Sequence, residues 1–131
     1  MSTSPISVQV EPRFLAEQSS PEDGVYTFAY TVTVTNTGDV PTQLIARHWR
    51  INDASGHAQE VKGLGVIGQQ PLLAPGQSFR YTSGCRLQAP SGTMHGSYFF
   101  VTERGERFDV AIPMFVLEAD AGAPPVSRVL H

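Results

Sequence analysis

The sequence carries little charge, and its positive charges are unevenly distributed between the two basic residue types. Charged residues are 16% of the 131 positions, against a usual share of about 25%. Nine Lys and Arg stand against twelve Asp and Glu, which gives a net charge of −3, and Lys62 is the only lysine. Basic residues do not cluster in a run, whereas nucleic-acid binders generally have a basic patch or stripe. We therefore expect no nucleic-acid partner.

The sequence also has a single cysteine and no spacing typical of a metal site. Cys85 can form neither an intrachain disulfide nor a multi-cysteine zinc site. Arg86 beside it could lower the thiol pKa, but no Cys/His signature accompanies it, so a packed thiol is the favoured interpretation. Asp53, His57 and Glu60 could meet in three dimensions around a cation, although solvated turn residues are the simpler interpretation. We expect no metal or other cofactor.

Long hydrophobic runs are missing as well. The most apolar segment, residues 110–117, is too short to span a bilayer and contains Pro113. The first five residues lack the basic and apolar regions of a secretory signal. These features predict a cytoplasmic protein without a membrane segment.

The dominant pattern is the alternation of a β-strand. From Tyr26 to Val34, aromatic and branched apolar residues alternate with Thr and Ala, which predicts a strand with one buried face. No window shows sustained helical periodicity, so almost no helix is expected. The other predicted strands cover residues 6–12, 44–53, 59–62, 77–83, 96–102 and 107–112.

Seven short strands separated by turn signals predict an all-β fold. The expected architecture is an antiparallel β-sandwich of the immunoglobulin-like or fibronectin type III-like kind, with a small closed barrel as the alternative. Trp49, flanked by Ile45 and Ile51, is the predicted central core residue. We predict one sandwich domain over residues 1–118 and a flexible C-terminal tail over residues 119–131, where two adjacent prolines and no pattern occur.

Residues 63–68 form the sharpest local motif, Gly-Leu-Gly-Val-Ile-Gly. In dinucleotide-binding folds this G-x-G-x-x-G spacing joins a strand to a helix, but Pro71 follows here and no helical pattern comes after it. A Rossmann domain is therefore rejected. The favoured interpretation is a structural loop that crosses between sheets.

The functional alternative for this loop is an anion site. Backbone N–H groups of a glycine-rich loop can form a nest for phosphate oxygens, here around Gly63, Gly65 and Gly68. Lys62 would add a cation at the entrance. Arg47 lies on the core-facing side of its strand and needs a partner there, which is either a structural ion pair or a bound phosphate or carboxylate.

Several motifs together resemble the ApaG family. They are Arg-His-Trp at 47–49, the glycine motif with Gln and Pro at 70–71, Pro-Gly-Gln at 75–77, Ser-Gly-Thr-Met at 91–94 and Phe-Asp-Val at 108–110. The resemblance covers about residues 6–117. It implies a fibronectin type III-like sandwich, a bacterial cytosolic protein, and an association with cobalt resistance and magnesium efflux. Related domains look like protein-interaction modules, and the glycine loop is proposed in the family as a phosphate-binding element.

The residues and the resemblance together favour a non-enzymatic binding or regulatory module. It would engage a protein partner, a phosphate-containing small molecule, or both, through Lys62, Gly63, Gly65, Gly68 and Arg47. An enzyme acting on nucleotides or pyrophosphate is one alternative, disfavoured because the sequence shows no carboxylate cluster for Mg²⁺. A direct divalent-cation sensor is the other, disfavoured because the acidic residues and histidines are scattered.

Overall fold

The computed structural model describes residues 5–119 and consists of two antiparallel sheets packed face to face. Eight strands alternate with short connections, and the only helical turns in residues 5–119 are the 3₁₀ turns Ala16–Gln18 and Pro21–Asp23. The strands are β1 (Ile6–Phe14), β2 (Tyr26–Asn36), β3 (Thr42–Asp53), β4 (Ala58–Leu64), β5 (Leu72–Leu73), β6 (Ser78–Leu87), β7 (Ser91–Thr102) and β8 (Arg107–Glu118).

The strand order confirms the predicted fibronectin type III-like sandwich. One sheet has the order β1-β2-β6 and the other β4-β3-β7-β8, with the two-residue β5 also pairing with β3. Seven strands carry the sandwich, as expected. The prediction that the glycine motif crosses between the sheets is wrong, because β5 follows it and still pairs with β3. The chain crosses to the opposite sheet only between Leu73 and Ser78. The predicted tail lies outside the described residues apart from Ala119, so the domain boundary stays a prediction.

The buried face of β2 follows the predicted alternation. Phe28, Tyr30, Val32 and Val34 are at most 6% exposed and face the other sheet. Between the sheets, Trp49 is 2% exposed and its ring lies 5.3 Å from Tyr30, centroid to centroid. This confirms Trp49 as a central core residue.

The prediction that Ile45 is a core neighbour of Trp49 is wrong. A β-bulge in β3 shifts the register with β7 between Leu44 and Ala46. A bulge inserts one extra residue and changes which side chains face inward, so Leu44 is fully buried while Ile45 is half-buried. Ile51 keeps its predicted place in the core at 3% exposure.

Several strands are longer than the sequence predicts. β7 begins at Ser91 instead of residue 96, and β8 continues past Pro113 to Glu118. Proline is tolerated there because β8 is the last strand of its sheet and its register with β7 shifts beside this point.

Candidate binding site

The glycine motif forms the end of β4 and a tight two-residue turn. Val66 and Gln69 exchange both backbone hydrogen bonds, with N···O distances of 2.8 and 2.9 Å. The two residues between them have positive φ, 42° at Ile67 and 79° at Gly68. This is the mirror-image hairpin turn, which requires positive φ at both central positions.

Gly65 is required by the fold of this turn. Its φ is +67°, and a Cβ atom there would lie 2.4 Å from the carbonyl oxygen of Gln69. Its N–H donates to the carbonyl of Ile45 in β3 at 2.7 Å. Val66 is fully buried beside it. The turn is therefore fixed to the sandwich by a backbone bond on one side and a core residue on the other.

Arg47 lies directly against the glycine motif, which the sequence could not establish. The β3–β4 register pairs Arg47 with Gly63, and the guanidinium occupies the space above Gly63 where a side chain would stand, with Nη1 2.9 Å from an ideal Cβ. Nη1 donates to the carbonyls of Leu64 at 3.1 Å and Gly65 at 3.0 Å. Arg47 thus holds the end of β4 in place.

The charge of Arg47 has no carboxylate partner within residues 5–119. Its neighbours are the tyrosines Tyr30, Tyr81 and Tyr98. Burial is the main cause that raises their pKa values, to about 12 for Tyr81, so all three are neutral at physiological pH. Instead of the predicted structural ion pair, Arg47 therefore donates two hydrogen bonds to backbone carbonyls, both from Nη1. Its Nε and Nη2 donate no hydrogen bond in the described part of the chain.

Lys62 lies on the opposite face of the sheet from Arg47. It pairs with His48 across β3 and β4, and paired residues project to the same side. A shallow pocket of about 500 Å³ lies on this outer face. Three predicted site residues, Arg47, Lys62 and Gly63, border this pocket together with His48, Ser97 and Asp109. The side chains of Lys62 and Arg47 project to opposite faces, but both residues and Gly63 border the same pocket.

The amide groups of the motif are only partly available to a ligand. The N–H groups of Gly65, Val66 and Gln69 donate to backbone carbonyls. Those of Ile67 and Gly68 donate no hydrogen bond among the residues that the structure describes. An anion at this turn would meet two adjacent amides, fewer than the nest predicted over Gly63 to Gly68.

Sequence reasoning missed the most unusual residue of the turn. Ile67 is β-branched, has a φ of 42° and is 53% exposed. A branched residue at positive φ is a genuine conformational outlier. The one sequence signal for this turn is that Ile67 directly precedes Gly68. Asn or Asp usually stands before the glycine in such a turn, so an isoleucine there gives little indication of a positive φ.

The remaining candidate residues have ordinary structural partners. Glu60 contacts His48 Nε2 at 2.5 Å and Arg50 at 3.5 Å. The hydrogen bond with His48 is the main cause that lowers the pKa of Glu60, and the charge of Arg50 adds to it. Over residues 5–119, no three His, Cys, Asp or Glu side chains are grouped as a metal site requires.

Cys85 is a packed thiol in this structure. Burial raises its pKa to about 11, which is opposite to the direction that Arg86 alone would give. Within the described segment, no helix has the length and apolar character of a transmembrane span.

The fold and this site define a class of small β-sandwich with a glycine turn braced by an inward-facing arginine. A family model described as the ApaG domain matches residues 16–102. A relative from Acidovorax sp. named protein ApaG is 62% identical over 130 residues, covering 96% of this chain and 95% of its own. One from Ralstonia nicotianae with the same name is 56% identical over the full length of both chains. This chain belongs to the ApaG family.

Solved structures agree with that membership. The crystal structure of a Bordetella pertussis protein superimposes with a TM-score of 0.86 at 54% identity, covering 88% of this chain and 94% of its own. A second X-ray structure gives a TM-score of 0.83 at 43% identity, covering 92% and 91%.

Proposed function

We propose that this chain is a non-catalytic binding module of the cytoplasm that docks a protein partner through the glycine turn. The carrying observation is Ile67, which is held at positive φ and exposed at the tip of the turn. Backbone strain of this kind persists only where the surroundings enforce it, and it concentrates at functional positions. Gly65 and Val66 supply that enforcement.

A second exposed apolar side chain supports a protein partner. Leu72 is 60% exposed and lies on the same segment bordering β3, five residues after Ile67. A contiguous exposed apolar patch with a polar rim marks a protein-binding surface, and we expect Ile67 and Leu72 to contribute to one patch. Lys62, which forms no salt bridge within residues 5–119, adds a cation nearby, so an acidic and apolar partner segment is the best fit. Any link of this chain to cobalt resistance or magnesium efflux would run through that partner.

The experiment replaces Ile67 by the residue that the turn conformation prefers. Ile67→Asn relieves the positive-φ strain, so we expect a melting temperature equal to or above that of the wild type. We also expect loss of the partner, measured by affinity purification with quantitative mass spectrometry and then by binding of the purified partner. Met114→Asn is the control, since Met114 is 61% exposed on β8 in the same sheet. Equal partner recovery with Ile67→Asn and wild type would contradict the proposal.

A phosphate-containing ligand is the second candidate, and one observation favours it. Arg47 carries a charge without a carboxylate partner in the described residues, and its Nε and Nη2 are free of hydrogen bonds there. Arginine recognises phosphate through such parallel donors. Pyrophosphate and ATP, with and without Mg²⁺, should then shift the amide signals of residues 63–68, and Arg47→Lys should weaken that response. Unchanged amide signals would rule out this candidate, and hydrolysis of the nucleotide would overturn the non-catalytic assignment.

A further inference from the structure

β4 forms a free edge of the larger, five-stranded sheet. It pairs with β3 on one side, no described strand pairs with its other side, and six of its seven residues are exposed. Asp53 N–H bonds to the His57 carbonyl and Gly65 N–H to the Ile45 carbonyl. Antiparallel ladders alternate, so odd-numbered residues of β4 bond to β3. The backbone groups of Ala58, Glu60, Lys62 and Leu64 therefore point away from the sheet.

We propose that this edge pairs with β4 of a second copy of the chain, antiparallel and about a two-fold axis at Val61. In this register Glu60 stands opposite Lys62 of the second copy, and Lys62 opposite its Glu60. Both pairs use outward-pointing backbone groups, as a hydrogen-bonded antiparallel pair requires. Opposite charges facing each other across two strands stabilise their pairing.

The neighbouring symmetric registers are unfavourable. Moving the axis to Glu60 places two glutamates opposite each other, and moving it to Lys62 places two lysines opposite each other. Like charges in directly opposed positions destabilise a strand pair. The charge pattern of β4 therefore selects one register and one partner, which is another copy of itself.

The side chains needed for this pairing are available. Glu60 uses Oε2 for both His48 and Arg50, so its Oε1 can meet a lysine. Lys62 forms no salt bridge in the part of the chain that the structure covers. Leu64, 74% exposed, would stand against Ala58 of the second copy. The carbonyl of Leu64 already accepts from Arg47, so the central ladder rests on Glu60 and Lys62.

The pairing is closed rather than propagating. A two-fold axis uses the β4 edge of both copies, and isologous contacts of this kind stop at the dimer. The turn that displays Ile67 lies beyond the paired strand, so the dimer presents two such turns. Self-association uses the edge of β4 and not the turn, so it is independent of the proposed partner binding.

Hydrogen exchange of the wild-type chain tests the register directly. In a monomer the Glu60 and Lys62 amides face solvent, whereas those of Val61 and Gly63 bond to β3. Dimerisation should protect the Glu60 and Lys62 amides at least tenfold as concentration rises, in step with a light-scattering mass approaching twice 14.2 kDa. A mass of one chain at millimolar concentration, or a dimer that leaves these two amides unprotected, would overturn the proposal.

Charge reversal tests the pairing rule. Glu60→Lys and Lys62→Glu should each weaken the dimer at least tenfold, because each places like charges opposite one another. An equimolar mixture of the two variants should form a heterodimer, since every facing pair is then opposite in charge. Circular dichroism of both variants checks that each is folded. Retention of the homodimer by either variant, or no association in the mixture, would refute β4 pairing.

Discussion

Trp49 illustrates how one residue joins the two sheets. Its ring contacts Tyr30 from β2, Tyr98 from β7 and Phe115 from β8, with centroids 5.3, 6.2 and 6.0 Å apart. Trp49→Ala would empty this space, so we expect a loss of about 3–5 kcal/mol in the free energy of unfolding. Urea unfolding measures this loss. Met114→Ala, at an exposed apolar side chain, should change stability by no more than about 0.5 kcal/mol. Similar effects of the two variants would contradict the central position of Trp49.

Asp53 links stability to pH at the end of β3. Burial would raise its pKa, but hydrogen bonds from Ser55, His57 and Gln88 outweigh burial and hold the pKa below its ordinary value of 3.8. A carboxylate with a depressed folded-state pKa stabilises above its unfolded pKa, and that stabilisation is lost as the pH falls through the folded value.

Asp53→Asn should therefore destabilise the chain at neutral pH and flatten the fall in stability below about pH 4. Urea unfolding at neutral and acidic pH measures both effects. Asp39→Asn is the matched control, because Asp39 is exposed and forms no hydrogen bond in residues 5–119. An unchanged acid slope for Asp53→Asn would show that other carboxylates control the acid response.

At the scale of the structural elements, the glycine turn contains two glycines that are required for different reasons. Gly68 has a φ of +79° but open space around an added Cβ, whereas Gly65 has both positive φ and a Cβ position 2.4 Å from the Gln69 carbonyl oxygen. Gly68→Ala should cost about 1–2 kcal/mol for the left-handed conformation alone. Gly65→Ala should cost more, because the backbone at Gln69 must also move. Urea unfolding of both variants measures the difference, and equal losses would mean that the turn adapts.

At the scale of the whole molecule, local pattern predicted the strands and the core but not their contacts. Alternation placed Arg47 on the inner face of β3, yet only the β3–β4 register brings it over Gly63. Such pairing depends on residues distant in sequence. The predicted strand begins at residue 96, whereas β7 continues through Gly96, where a Cβ would lie 2.0 Å from the His48 carbonyl oxygen. Close approach of β3 and β7 therefore explains this glycine.

The same limit applies to the turn. The spacing of the glycines identified residues 63–68, but no sequence rule predicts an isoleucine at positive φ. The opposite faces of Lys62 and Arg47 followed from alternation along β4 and β3 once their register was known. The sequence could therefore locate the candidate site along the chain without revealing which groups share a surface.

The two sheets also share a polar contact within the core. The hydroxyls of Tyr81 in β6 and Tyr98 in β7 are hydrogen-bonded to each other, and both side chains are at most 5% exposed. Removing one hydroxyl leaves the other buried without that partner, which costs about 1–3 kcal/mol. Removing both leaves no unsatisfied group. We therefore expect Tyr81→Phe and Tyr98→Phe each to destabilise the chain, and the double variant to lose less than the sum of the two. A double-mutant cycle by urea unfolding measures this coupling, and strict additivity would show that the hydroxyl pair does not link the sheets energetically.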